Sequence, residues 1–209
     1  MNVSVSLTST FAISISAFAN ICNIATAQQA PIDTQQTTQT RAQKICAFDA
    51  VENLLPPLSE QTNSLFSYLA QQGFTQNPDG SWVCYTSTSS KPGRYYTLFK
   101  VQEIDGKVVA SSFLENGQLI EGQDKRTLDL FMMLIQNHTN TNQGNVKSIL
   151  RYLEAFMTLL KQGKILPSER GYLFDQPSRG FVIYNRLLQG QIKGTAITIN
   201  IDNAQKLLK

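Results

Sequence analysis

A single histidine, no C-x-x-C pair and no apolar run of bilayer-spanning length narrow what this 209-residue chain can do. One histidine, His138, cannot furnish a His-rich metal centre, and the Cys and His spacings that zinc sites use do not occur. No metal and no cofactor are therefore expected. A Ser-His-Asp relay would have to pass through His138, which lies in a polar stretch and reads as a solvated loop side chain. The glycine-rich phosphate cradles and the G-x-S-x-G elbow of serine hydrolases are missing. So are the basic–aromatic motifs of RNA-binding sheets, which removes nucleic acid from the expected partners. Carboxylate pairs such as Asp124/Asp129 and Glu115/Glu121 could be drawn up for glycoside hydrolysis. Spacing along the chain does not set their separation in space, so solvated surface is their default reading.

Charge is also scarce, at 16% of residues, and the first 27 residues carry none of Lys, Arg, Asp or Glu. That stretch holds a modestly apolar segment, Phe11 to Ile24, and ends in Ala25-Thr26-Ala27. The small-x-small ending predicts a secretory signal over residues 1–27, cut between Ala27 and Gln28. Ser14, Ser16, Asn20 and Asn23 dilute the apolar segment, and a bilayer span needs about 18 or more nearly uninterrupted apolar residues. No transmembrane span is expected in the mature chain. An uncleaved interfacial anchor and an unstructured tail are the competing readings.

Export changes the meaning of the cysteines. Of the three, Cys22 falls in the signal, leaving Cys46 and Cys84 as an even pair in an oxidising compartment. A Cys46–Cys84 disulfide follows as the expectation, over a redox or catalytic thiol. Residues 28–43, QQAPIDTQQTTQTRAQ, lack large apolar groups and read as a flexible Gln/Thr-rich leader. The remainder, 44–209, is expected to form one domain.

From Ile45 the apolar positions become periodic, suggesting a short N-terminal helix from Cys46 to Leu55, interrupted at Pro56-Pro57. A second piece, Ser59 to Gln72, ends at Gly73. Then the period changes. Phe74–Gln76, the turn Asn77-Pro78-Asp79-Gly80 and Trp82–Thr86 read as a hairpin. Tyr95–Ile104, Lys107–Leu114 and Gln118–Ile120 follow as strands separated by Asp105-Gly106 and Asn116-Gly117, both type I′ signals. Leu128–Gln136 contains Phe131-Met132-Met133-Leu134-Ile135, apolar on every side, as a buried helix is. Asn145 can cap Val146–Gln162, where Val146, Ile149, Leu150, Leu153, Met157 and Leu160 form one stripe. Gly180–Asn185 and Thr195–Ile201 return to strand, and Asp202 can cap a last helix, Ala204–Leu208. Clustered strands and clustered helices predict an α+β fold: an antiparallel β-meander packed against helices, with an N-terminal helix and a central helix pair.

Two concentrations remain for function. Residues 161–209 hold 8 basic and 3 acidic side chains, against 10 and 12 in residues 1–160. Arg170, Arg179 and Arg186 lie in this basic third among Tyr172, Phe174, Phe181 and Tyr184. Strict alternation puts Tyr95, Thr97, Phe99 and Val101 on one face of their strand and Tyr96 and Lys100 on the other. The first set reads as core, so Tyr96 and Lys100 are the surface candidates. The expected function is an exported, non-enzymatic binding or accessory protein for a protein or anionic polymer. The alternatives are a secreted hydrolase with carboxylate or serine chemistry, and a structural or assembly component.

Overall fold

The structure, a computed structural model, describes residues 44–46, 65–88, 91–175, 179–189 and 192–202, all in the unit Arg41–Lys209. Among these described residues, seven antiparallel strands form one sheet. β1 (Thr75–Gln76) and β2 (Trp82–Thr88) make the first hairpin, followed by β3 (Lys91–Ile104) and β4 (Lys107–Leu114). α1 (Gln123–His138) and α2 (Gln143–Lys161) come next, then β5 (Arg170–Phe174), β6 (Gly180–Gln189) and β7 (Ile192–Asp202). β7 returns beside β4, giving the order β1-β2-β3-β4-β7-β6-β5 with β1 and β5 at the edges. The α+β expectation of a meander and a helix pair is met.

Local chemistry explains the strand joints. Asp105 and Gly106 have φ of 50° and 78°, both positive as a type I′ turn requires. In the first hairpin the Asp79 carboxylate accepts from the Ser81 N–H at 2.9 Å and from its hydroxyl. These bonds hold the Asp79 pKa below the usual carboxylate range.

The helices cover one face of the sheet, α1 against β4 and β7, α2 against β5. β4 alternates as a half-covered strand should: Val108, Ala110, Ser112 and Leu114 are buried, while Val109, Ser111 and Phe113 on the outer face are half-buried. Ile197, Ile199 and Ile201 of β7, with Val182 and Tyr184 of β6, continue the helix-side layer. Each such aliphatic side chain contributes about 1.5–3 kcal/mol when fully buried.

Several expectations are corrected. Between β2 and β3 the partners step from Cys84↔Phe99 to Tyr85↔Thr97, so Leu98 is the extra residue of a β-bulge. The bulge shifts the inward set from odd to even positions, and Leu98 and Phe99 are both fully buried. Tyr95, expected in the core, is 44% exposed, while Tyr96, expected on the surface, packs against the core. Gln118–Ile120 is not a strand, and only the bridge Glu115↔Gln118 forms. The cap of α2 is Asn142, whose side chain accepts from the Asn145 N–H at 2.9 Å, rather than Asn145. β5 was not anticipated, and α1 begins at Gln123, five residues before the expected Leu128. The described part of the second helical piece is a 3₁₀ turn, Ser67–Gln72, instead of α-helix. The helix expected over Cys46–Leu55 falls almost wholly outside the described residues, as does the one over Ala204–Leu208; Cys46 itself lies in a turn.

Cys46 and Cys84 stand at disulfide distance, with sulfurs 2.05 Å apart and Cα atoms 5.7 Å apart. Segment 44–46 is held further by the Cys46 N–H to Gln72 O bond (2.9 Å) and by Arg126, which donates to Ile45 O (3.0 Å). Gly73 has φ +86°, and a Cβ there would lie 2.6 Å from Cys46 O, so position 73 has room for glycine alone.

Candidate functional site

The sheet register separates the residues that the sequence brought forward. Lys100, Ser111, Thr198, Ile183 and Arg170 lie in one cross-strand row on the outer face. Lys100 and Arg170 are four strand spacings apart, about 19 Å. Lys100 is engaged by Asp79 at 3.6 Å. Arg186 lies opposite Thr195, itself opposite buried Leu114, which puts it on the helix side at the other end of β6 from Arg179. Seven residues of strand separate Arg179 from Arg186, about 23 Å. Arg179 is bonded to Asp175 at 2.7 Å. The three arginines therefore do not form one basic stripe. Tyr96 is half-buried, and burial, with the Glu115 charge adding, pushes its phenol pKa up to about 12.

What the fold does assemble is an aromatic cleft of about 480 Å³ at the β5 edge. Its walls are Ile149 and Tyr152 from α2 with Tyr172, Leu173 and Phe174 from β5, and Asn145, Ser148 and Asp175 supply polar groups. Two strand glycines make it possible. A Cβ on Gly171 would overlap the Tyr152 hydroxyl, and a Cβ on Gly180 would overlap the Phe174 ring. Glycine inside a strand often marks such a close approach. The pairing of β5 with β6 steps from Tyr172↔Phe181 to Phe174↔Gly180, leaving Leu173 as a bulge residue. The bulge turns two consecutive side chains, Leu173 and Phe174, against the core. Tyr172 stays 64% exposed, with the Arg170 guanidinium 5.9 Å from its ring centroid. Among the described residues β5 pairs with β6 alone.

His138 is not the solvated loop residue expected. It lies in the last turn of α1, 2% exposed, with Nε2 2.8 Å from the Tyr68 hydroxyl and the Phe66 ring edge-on at 5.2 Å. Burial holds its pKa below the ordinary 6.5, against an opposing pull from Glu103. The neutral ring is thus favoured in the folded chain. Its contribution to stability is complete above pH 6.5 and is lost as pH falls below that, because the unfolded chain takes up the proton first. Thermal unfolding between pH 7 and 5 should therefore show a falling Tm, with a shallower fall in His138→Gln. An equal slope in the two proteins would contradict this assignment. Asp79 and Asp124, both held below 3.8, act only at more acidic pH. Asp124 is ion-paired with Lys161, tying α1 to α2. No group of three or more His, Cys, Asp or Glu suited to a metal occurs among the described residues, and no described helix is long and apolar enough to cross a membrane.

Sequence reasoning reached Arg170, Tyr172 and Phe174 but missed Tyr152 and Ser148 as parts of one site. The signal that could have found them is the pair of glycines, Gly171 and Gly180, flanking aromatics inside strand-like segments. Comparison with protein-family models, curated proteins and solved structures returned no match.

Proposed function

We propose that this chain is an exported, non-enzymatic binding module that takes an extended segment of a protein partner along the edge of β5 that has no strand partner among the described residues. The observation that carries this is the juxtaposition of an edge strand with an aromatic cleft beside it. In strand addition, main-chain hydrogen bonds at a sheet edge supply affinity, and pockets for alternate side chains supply specificity. The bulge at Leu173 shortens the regular edge to Arg170–Tyr172, so the cleft must supply much of the binding. Dispersal of Arg170, Arg179 and Arg186 over two faces and two strand ends favours a protein partner over an anionic polymer. The Cys46–Cys84 pair supports an oxidising compartment, which for an exported chain means a periplasm, an organelle lumen or the extracellular space.

The test is calorimetric titration of the full chain with an acetylated, amidated ten-residue peptide alternating Leu and Thr. Ser148→Trp fills the cleft from an exposed helix position and removes no core contact. Binding should weaken at least ten-fold in that variant. It should also weaken when every second amide of the peptide is N-methylated on the side that meets β5. Undiminished binding in either arm, or no binding of the parent peptide, would overturn the reading.

A further inference from the structure

The two faces of β5 differ in chemistry, and an added strand would experience both. Successive side chains of a strand point to opposite faces. On the outer face of the edge stands Arg170, exposed, with its guanidinium over the Tyr172 ring. Among the described residues it has no carboxylate partner within ion-pair distance. Glu169 lies opposite Tyr184, on the helix side of the sheet, and Asp175 is already engaged by Arg179. On the helix side stands the cleft of Tyr152, Leu173 and Phe174. A strand laid along this edge therefore offers alternate residues to a cation and to an apolar cavity.

We infer that the partner segment alternates acidic and apolar residues, with Arg170 selecting the acidic set and the cleft accepting the apolar set. This rests on the strand-docking reading above. The charge of Arg170 acts through solvent, so its selectivity weakens with salt. Its planar guanidinium suits a carboxylate better than a neutral amide.

Three ten-residue peptides separate the possibilities: Leu alternating with Glu, with Gln and with Lys, each titrated into the full chain at low and at 0.5 M salt. The Glu peptide should bind about five-fold more tightly than the Gln peptide and more tightly still than the Lys peptide, with the gap closing at high salt. Arg170→Gln should remove the preference, and Arg170→Glu should reverse it toward Lys. The position is exposed, so neither variant should disturb folding, which circular dichroism checks. Equal binding of the Glu and Gln peptides would overturn the charge selectivity while leaving strand docking standing. Failure of all three to bind would overturn strand docking itself.

Discussion

Removing the Cys46–Cys84 crosslink with the double change Cys46→Ala/Cys84→Ala should cost about 4 kcal/mol of stability. The bond closes a loop of 38 residues, and on the chain-entropy account that closure removes freedom from the unfolded state in proportion to the logarithm of loop length. Local structure adds to the effect. Cys84 is buried in β2, and Cys46 sits where the Gly73 turn, the Gln72 carbonyl and the Ile45 contact to Arg126 converge. For a chain of this size the loss corresponds to a drop of roughly 8–16 °C in Tm. Reductant should produce the same drop in the unaltered chain and none in the double variant. A shift below about 2 °C, or a variant that still responds to reductant, would contradict the assignment.

The second large effect concerns a buried polar group. Gln123, fully buried at the start of α1, donates to Phe113 O at 2.7 Å and to Ser112 Oγ at 2.9 Å. Its Oε1 accepts from the Ile120 N–H at 2.9 Å. Ser112 and Thr127 hydroxyls close the network at 2.9 Å, and Thr127 donates to the Gln123 carbonyl at 2.7 Å. One amide thus joins the end of β4, the β4–α1 connection and the first turn of α1. Gln123→Leu keeps the volume but orphans the Phe113 carbonyl and the Ile120 N–H, each costing about 1–3 kcal/mol when buried. A total near 3 kcal/mol is expected, read as a fall in denaturant midpoint with unchanged slope. Gln123→Glu should be worse, because an ionised carboxylate cannot donate to Phe113 O and is buried at high cost. A loss below 1 kcal/mol in Gln123→Leu would show that the network does not anchor α1.

These two sites mark the boundary of what the amino-acid order discloses. The disulfide was legible because Cys46 and Cys84 are the two cysteines beyond the first 27 residues, which makes them an even pair. The β3–β4 turn was legible because Asp-Gly carries its own backbone preference, and α2 because its apolar stripe is continuous. The start of α1 was not, because Gln123, Asp124 and Thr127 are polar and hydropathy does not reveal that two of them are buried in mutual hydrogen bonds. Tyr96 was misplaced because a bulge changes the inward parity, and one extra residue leaves no mark in a strand rich in aromatics. β5 escaped notice for a related reason: Arg-Gly-Tyr-Leu-Phe does not alternate, since its bulge turns two adjacent side chains the same way. The basic third was visible as a count, but a count along the chain says nothing about faces. The register alone separates Arg186 from Arg170 and leaves the latter beside the cleft.

The claim that matters most is that recognition occurs at the β5 edge, and amide chemical-shift mapping tests it most directly. The isotope-labelled full chain, with its disulfide intact, would be titrated with the Leu/Glu peptide. Strand docking predicts concerted shifts over Arg170–Asp175 and the Asn145–Tyr152 half of α2, with slowed exchange of β5 amides that meet the peptide. Shifts centred on the outer face around Lys100 and Val109, on the β1 edge, or on the Arg186 end of β6 would contradict it.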